Sequence, residues 1–404
     1  MFRSTNKNSL YIALFVGFID YLGIGLVYPL FSSMLFDVSC PILPHDTAHS
    51  IRGIWLGVLF SLMPLAQFLT APIWGAISDS SGRKKNLQFS LFVALVGYLV
   101  AFSGVLFSSL FLLLTSRILI GCASGNTAIV QAVIADVSKE EEKTKNFGLY
   151  SMALGVGFTI GPFCSGALSS INYSLPFLFT IFLIVINIVF TQFFFKETHF
   201  LLIKRTLSWN MGLLQMKKAF LYKGLRTLFL CSFLNHFGWS YFFEFIPVFL
   251  IFRFAFTPGD LGVFFGLAGA FYAISAGVLI RPFIKVFKPE TLFFSGLLLT
   301  SLCIFLIPIN HTLSYLWIII FFVCYATSLT SPTATTLVSN SSKMQGETLG
   351  MFSSVNAAAL ILSPLASGSF VGNHPTLPMW IGGASMLLGA AIYLITSWKK
   401  IFSR

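Results

Sequence analysis

Apolar residues dominate this chain in long runs, and short polar stretches separate the runs. A run of about 20 apolar residues is long enough to cross a bilayer as an α-helix. Twelve such runs follow one another along the 404 residues, so the pattern predicts an all-α integral membrane protein with twelve transmembrane helices. The predicted spans are 9–36, 51–77, 86–107, 110–136, 146–169, 175–195, 225–252, 260–283, 291–309, 313–337, 347–371 and 376–398.

The composition agrees with this prediction and excludes a soluble protein. Hydrophobic residues make up 56% of the chain and charged residues only 9%, which leaves too little polar surface to cover water-facing domains. The apolar run after Asn8 is too long for the hydrophobic region of a signal peptide, so we expect the first span to begin near Ser9. The six cysteines show no metal-ligand spacing, and we predict neither a metal site nor a cofactor.

The net charge of +12 indicates membrane topology rather than a nucleic-acid partner. Of the 25 Lys and Arg residues, 22 fall on alternate connections between the predicted spans. Such an excess of cations is typical of the cytoplasmic side of a membrane protein. We therefore expect both termini to be cytoplasmic in a multi-pass protein of a bacterial inner (plasma) membrane.

A basic segment, residues 196–224, divides the chain into two halves. It is mildly amphipathic through residues such as Leu207 and Leu213, so we expect part of it to lie along the inner membrane surface. The division predicts an N-terminal six-helix bundle over residues 1–195, a cytoplasmic linker, and a C-terminal six-helix bundle over residues 225–404.

The two halves share small-residue motifs at a constant offset of 202 positions. Gly161-Pro162 in the first half corresponds to Ser363-Pro364 in the second, and Gly75 corresponds to Gly277. A repeat of this kind predicts two like-oriented bundles that are related by an axis along the membrane normal. The copy is degraded, because Arg281 occupies the position that corresponds to an aspartate in the first half.

The connection between the second and third spans carries the pattern Gly-x-x-x-Asp-x-x-Gly-Arg-Lys. Its residues are Gly75, Asp79, Gly82, Arg83 and Lys84. This hairpin resembles the loop between spans two and three of major facilitator superfamily transporters. The resemblance implies a cytoplasmic gate motif that clasps the two bundles, with the aspartate facing a positive helix N-terminus. The basic loop also fixes the membrane topology, and this role does not exclude the clasp.

Two further spans resemble the twelve-span drug:proton antiporter branch of that superfamily, which includes tetracycline-efflux pumps. The first span contains the stretch 20–29, which is similar to the first helix of that branch. The fourth span contains Arg117 and Gly121, which resemble a buried-arginine motif, although Ile120 stands where a glutamine is usual.

The fifth span resembles the antiporter motif of the same branch. The matching residues are Gly157, Gly161, Pro162 and Gly166, and Ser165 replaces a glycine of the motif. In the family this segment seals the path across the membrane at the bundle interface. A face that serves only helix packing is the alternative.

An ionisable side chain inside a membrane costs about 2.5–3.5 kcal/mol on insertion scales, so each one is a functional candidate. We predict proton coupling by Asp20, Arg117, His236 and Glu244. Asp20 is the expected proton site and Arg117 its electrostatic partner, and a static ion pair between the first and fourth spans is the alternative. Glu244 precedes Pro247, where we expect a broken helix. This carboxylate is a second titrating group or a docking site for a cationic substrate, and a carboxylate that reaches the outer membrane interface is the alternative. His236 is a pH switch or a helix–helix hydrogen bond.

Aromatic and polar residues within the spans are candidates for the substrate pocket. Aromatic residues make up 16% of the chain, and most of them must face lipid or neighbouring helices. The candidates are Tyr28, Gln131, Trp239, Tyr241, Tyr272 and Tyr325.

These patterns and the resemblance to the antiporter branch together imply a secondary active transporter. We expect it to export a small amphipathic molecule or drug by proton-coupled alternating access, as an antiporter of the multidrug-resistance kind. A proton-coupled importer or facilitator of a metabolite or siderophore is the alternative, because the motifs of the fourth and fifth spans are imperfect. Tetracycline is a less expected substrate, since the third and ninth spans contain no acidic residue. An enzyme is excluded because no nucleophile–base or metal constellation is present. The expected partners are a small-molecule substrate, protons and the lipid bilayer, with no nucleic acid, and we expect a monomer.

Overall fold

The computed structural model describes residues 7–37, 40–138, 140–198, 211–222, 224–309, 312–340 and 345–402. In this part of the chain the regular structure is entirely helical. Twelve helical segments are long and apolar enough to cross a membrane, which confirms the predicted number of spans.

Sixteen α-helices form the described part of the chain, because several spans are built from more than one helix. They are α1 (Lys7–Phe36), α2 (His49–Ser81), α3 (Arg83–Leu106), α4 (Leu110–Ser124), α5 (Thr127–Val137), α6 (Glu140–Ser169), α7 (Leu175–Phe194), α8 (Met211–Leu221), α9 (Arg226–Phe243), α10 (Ile246–Phe254), α11 (Pro258–Ile274), α12 (Arg281–Val286), α13 (Pro289–Leu306), α14 (Leu313–Asn340), α15 (Gln345–Val371) and α16 (Leu377–Phe402).

Besides a kink at Ser397, near the end of the twelfth span, three spans are interrupted. The fourth span breaks at Gly125 and Asn126, between α4 and α5. The seventh breaks at Glu244 and Phe245, just before a proline in the first turn of α10, where a missing N–H group is tolerated. The eighth contains a π-helical turn, Ser275–Leu279, between α11 and α12. Irregular backbone at membrane depth occurs where protein surrounds it or where it lines a cavity.

Contacts group these helices into two compact units. Unit 1 comprises Met1–Asp46, Leu62–Met211 and Thr257–Gly266. Unit 2 comprises Thr47–Ser61, Gly212–Phe256 and Leu267–Arg404. The first part of α2 therefore belongs to unit 2, and the first part of α11 belongs to unit 1. The division of the chain at the linker 196–224 stays a prediction.

Corresponding spans pack together in both units. In unit 1, α1 packs along α6, and α3 packs against α4 and α7. In unit 2, α9 packs along α15, and α13 packs against α14 and α16. The first span thus packs on the fifth, and the corresponding seventh span packs on the eleventh. The third span packs on the fourth and sixth, and the corresponding ninth span packs on the tenth and twelfth. This repetition agrees with the pseudo-symmetry that the sequence repeat predicts.

The second part of the linker forms α8, which packs on unit 2. Ala219 is fully buried in the apolar core of that unit, and Gln215 accepts a hydrogen bond from the Ser354 hydroxyl at 3.0 Å. Leu213 is about half exposed, on a helix that also carries lysines. Leu207 lies outside the described residues, so the position of the linker along the membrane surface stays a prediction.

Candidate functional site

A buried polar cluster surrounds Asp20, near the middle of α1 in unit 1. The carboxylate faces the side-chain amide of Asn126, which the break between α4 and α5 turns towards it. Asn126 is only 1% exposed. Among the described residues, neither amide atom of Asn126 nor the Oδ2 atom of Asp20 has a hydrogen-bonding partner. Buried polar atoms of this kind are costly unless a proton, a water or a polar ligand satisfies them.

Two buried tyrosines flank this carboxylate. Gly17 and Gly23 lie three residues before and after Asp20 and so share its side of α1. A Cβ atom at Gly23 would collide with the hydroxyl of Tyr98, and one at Gly17 would meet the ring of Tyr150. Both tyrosines lie within electrostatic range of Asp20. They were not predicted, because the sequence does not show which tyrosine faces which glycine.

Arg117 of α4 belongs to the same cluster. Its Nη2 atom donates a hydrogen bond to the Sδ atom of Met63 at 3.1 Å, and its Cζ atom lies 5.4 Å from the centroid of the Phe31 ring. Tyr98 lies within electrostatic range of both Arg117 and Asp20. Asp20 and Arg117 therefore both lie within electrostatic range of Tyr98, and their pairing with each other stays a prediction.

The hairpin motif forms a charge network around Arg83. This guanidinium is 5% exposed and pairs with the carboxylate of Asp79 at 2.7 Å and with that of Asp136 at 3.2 Å. It also donates to the hydroxyl of Ser78 at 2.6 Å. A buried arginine with several acceptors is satisfied, whereas one that loses a partner is costly. Asp136, at the end of α5, was not among the predicted motif residues.

A carboxylate outside the motif caps α3, the helix whose first residues are Arg83 and Lys84 of the motif. Glu197, which follows α7, accepts hydrogen bonds from the backbone N–H groups of Arg83 at 2.9 Å and Lys84 at 3.0 Å. These groups belong to the first turn of α3, where orphan donors and the positive helix end favour an anion. Gly82 is required beside them because its φ is 94° and a Cβ atom would lie 2.7 Å from the Glu197 carboxylate.

The other two hairpin residues have separate environments. Lys84 donates from Nζ to the backbone carbonyl of Gln192 at 2.8 Å. Gly75 faces α5, where a Cβ atom would be 3.9 Å from that of Ala128. This is ordinary van der Waals contact, so the space around Gly75 in unit 1 admits a larger residue.

The fifth-span motif lies at helix contacts of unit 1. A Cβ atom at Gly161 would be 2.5 Å from a backbone carbonyl oxygen of α1, and Gly157 approaches α1 equally closely. The ring of Pro162 also packs on α1, whereas Gly166 meets Gly262 of α11. Small residues in membrane helices allow this close backbone approach, so packing is one role of the motif.

Unit 2 contains the two other candidate proton groups. His236 lies within α9, and Glu244 directly follows the last residue of that helix. The Nδ1 atom of His236 hydrogen-bonds the carbonyl oxygen of Ser232 at 2.9 Å, within α9 rather than between helices. Its ring meets the Phe352 ring edge-on. Glu244 lies at the break between α9 and α10 and is only 4% exposed, so its side chain is buried.

The pocket candidates are divided between the units. Tyr28 packs edge-on against Phe158 in unit 1, and Gln131 is exposed on α5. In unit 2, Trp239 stacks on Phe243 with the ring centroids 5.4 Å apart. The other three in unit 2 are Tyr241, which lies beside Ser367, Tyr272, which lies near Cys324, and Tyr325, which packs against Phe283.

At the opposite end of unit 1 from the hairpin, a loop tyrosine binds a carboxylate. The hydroxyl of Tyr173, between α6 and α7, donates a hydrogen bond to Asp37 Oδ2 at 2.7 Å. Burial and this hydrogen bond raise the pKa of Tyr173 well above its ordinary value. The bond ties the end of α1 to the α6–α7 loop.

The family of the chain follows from comparison with known proteins. The model of the Major Facilitator Superfamily matches residues 13–364 and 228–401. The chain is a member of the Major Facilitator Superfamily. It is therefore a transporter and not an enzyme, and its twelve spans make it an integral, multi-pass membrane protein.

Curated relatives of the chain include resistance proteins. The chain is 34% identical over 194 residues to the class C tetracycline resistance protein of Escherichia coli, a match that covers 48% of the chain and 46% of that protein. It is 28% identical to the class H tetracycline resistance protein of Pasteurella multocida over 97% of the chain and 96% of that protein. It is 26% identical to the quinolone resistance protein NorA of Staphylococcus aureus over 96% of each.

Solved transporter structures share the fold. A bacterial homologue of the human lysosomal transporter Spinster superposes with a TM-score of 0.76 at 13% identity and covers 98% of both chains. A D-xylose–proton symporter also superposes with a TM-score of 0.76 at 13% identity, covering 96% of this chain and 97% of that one. These similarities establish the fold of this superfamily member but not its substrate.

Proposed function

We propose that this transporter exports small amphipathic molecules in exchange for protons by alternating access. The observation that carries the proposal is the buried Asp20 carboxylate, which faces Asn126 while its Oδ2 atom has no hydrogen-bonding partner among the described residues. A carboxylate in such a site is stabilised by a proton, and a change of hydration or of the nearby charge changes its proton affinity.

The surrounding cluster supplies a way to couple that proton to conformation. Tyr98, on the third span, lies within electrostatic range of both Asp20 and Arg117, and Arg117 lies on the fourth span. A shift of these spans relative to α1 changes the field at the carboxylate and therefore its proton occupancy. In this proposal Glu244 and His236 act as further proton or cation sites, and the six aromatic and polar candidates line the substrate path.

Export and drug-like substrates are supported by the relatives. Two of the full-length matches have names that refer to resistance to tetracycline and to quinolones. The direction of transport and the substrate class of this chain are part of the proposal, as are the gate role of the hairpin, the sealing role of the fifth span, the cytoplasmic termini, the bacterial inner membrane and the monomeric state.

Transport in oriented vesicles tests the proposal. Inverted membrane vesicles that contain the transporter are given an acid-inside pH gradient, with a quinolone, tetracycline or ethidium as probe. We expect at least one probe to accumulate, and a protonophore to abolish the accumulation. Accumulation of the same probe in right-side-out vesicles under an acid-outside gradient, and not in inverted ones, would support the importer and overturn export.

Variants separate proton coupling from substrate binding. Asp20→Asn is expected to abolish gradient-driven uptake while leaving exchange of labelled for unlabelled probe, because the amide does not titrate at physiological pH. The matched control is Asp46→Asn, which changes an exposed carboxylate and should keep driven uptake. Persistent driven uptake in Asp20→Asn would remove Asp20 from the coupling mechanism.

A further inference from the structure

A groove of about 790 Å³ runs along unit 1, where α2, α3 and α4 meet. Carbon atoms line its inner part, chiefly from Trp74 on α2 and from Phe89 and Val93 on α3. Ser81 and Lys85 line the end next to the hairpin. The groove is therefore amphipathic along its length, apolar inside the membrane and cationic at the membrane edge.

The length of the groove fits one leaflet. Val93 follows Lys85 by eight residues on α3, which corresponds to about 12 Å along a helix axis. Half of the roughly 30 Å hydrocarbon core of a bilayer is about 15 Å. A molecule with a charged head at Lys85 and an apolar tail along Phe89 would span this depth.

The apolar wall is preformed. The indole Nε1 of Trp74 donates a hydrogen bond to the carbonyl oxygen of Cys122 at 2.6 Å, and its ring lies 5.9 Å from the ring of Phe89. The polar atom of the indole is thus satisfied inside the protein. The remaining surface offers an apolar tail only van der Waals contact, without a desolvation cost.

The cation at the mouth of the groove is available for an anion. Arg83 is paired with two carboxylates, and Lys84 donates to the carbonyl oxygen of Gln192. Lys85, in contrast, is exposed, and no acidic side chain in the described part of the chain pairs with it. A phosphate at this position would gain a charge partner without breaking an existing ion pair.

We propose that this groove holds one anionic phospholipid, with its phosphate at Lys85 and an acyl chain along Trp74 and Phe89. Basic pockets between transmembrane helices recognise anionic headgroups in this way. The lipid would occupy the junction between the hairpin and the third span, beside the charge network of Arg83. The site does not depend on the direction of transport or on the substrate.

Native mass spectrometry of the purified full-length chain tests the head of the site. The protein is delipidated in mild detergent and then offered equal amounts of phosphatidylglycerol and phosphatidylcholine. We expect the first bound lipid to be mainly phosphatidylglycerol. Lys85→Gln should lower the ratio of phosphatidylglycerol to phosphatidylcholine about fivefold, the contribution of one cation near an anionic headgroup. Lys145→Gln, which removes an exposed lysine from α6, should leave the ratio unchanged.

A second pair of variants tests the tail. Val93→Trp fills the apolar part of the groove and should abolish retention of this lipid whatever its headgroup. Phe92→Trp enlarges a neighbouring side chain that is 56% exposed and does not line the groove, and it should retain the lipid. Equal retention of the two lipids by the wild type, an unchanged ratio in Lys85→Gln, or full retention in Val93→Trp would each overturn the proposal.

Discussion

Replacing Glu197 should loosen the start of α3, because its carboxylate caps the first turn of this helix. The N-cap position is Gly82, which has no side chain to accept the first N–H groups of the helix. The Glu197 carboxylate accepts two of them, at 2.9 and 3.0 Å from the nitrogens of Arg83 and Lys84. Glu197→Ala leaves both donors without this partner.

The expected magnitude follows from two scales. Hydrogen bonds to charged groups contribute roughly 1.5–3 kcal/mol each, whereas losing a helix cap costs about 0.5–2 kcal/mol. Glu197 is half-buried, and water can replace part of the cap, so we expect a loss of about 2 kcal/mol for Glu197→Ala. Glu197→Gln keeps an acceptor but loses the charge at the helix end, which costs about 1 kcal/mol or less.

Hydrogen–deuterium exchange of the hairpin measures this loss directly. Local opening controls exchange, so about 2 kcal/mol corresponds to roughly 30-fold faster exchange of the first α3 amides in Glu197→Ala. Glu197→Gln should give at most about a fivefold increase. The control is Glu142→Gln, an exposed carboxylate of α6. If the α3 amides exchange in Glu197→Ala as they do in this control, the capping argument is wrong.

Three more predictions concern unit 1. Gly161→Ala should destabilise the protein by about 1–3 kcal/mol through overpacking against α1, whereas Gly155→Ala, which meets nothing within 4 Å, should leave the melting temperature in detergent almost unchanged. Gly82→Ala should cost about 1–3 kcal/mol, because its φ of 94° and ψ of 158° belong to a region almost reserved for glycine; a melting temperature equal to that of the wild type would contradict this. The raised pKa of Tyr173 means that its bond to Asp37 is intact below the ordinary tyrosine pKa of 10.0 and is lost only as pH rises through the higher folded value. The alkaline absorbance difference between wild type and Tyr173→Phe should therefore show no phenolate from this residue near pH 10.

The number of spans and their helical structure could be predicted, because the membrane sets requirements that each segment of the chain must meet by itself. Each span must satisfy its own backbone hydrogen bonds and carry about 20 apolar residues, and both conditions are visible in a one-dimensional pattern. The break before Pro247 was predictable for the same reason, since a proline removes a helix hydrogen bond. The break at Gly125 and Asn126 was not predicted, because both residues also occur inside intact membrane helices.

The candidate site was predicted only in part. Asp20 and Arg117 stand out because a charge inside a membrane is rare. Tyr98 and Tyr150 do not stand out among 12 tyrosines. Only the tertiary structure of unit 1 places Tyr98 against Gly23 and Tyr150 against Gly17, on the side of α1 that carries Asp20. The capping role of Glu197 could not be predicted either, because this residue is 114 positions away along the chain from Arg83, whose amide N–H donates to it.

By itself, the sequence determined the twelve spans, the repeat and the superfamily, because apolar run length, internal periodicity and short local motifs are properties of neighbouring residues along the chain. The tertiary structure alone decided which carboxylate caps α3, which tyrosines flank Asp20 and where an apolar groove opens beside Lys85. Those features depend on which faces of helices that are distant in sequence meet. The pairing of these faces is determined by the close packing of small and large side chains along the whole length of two helices.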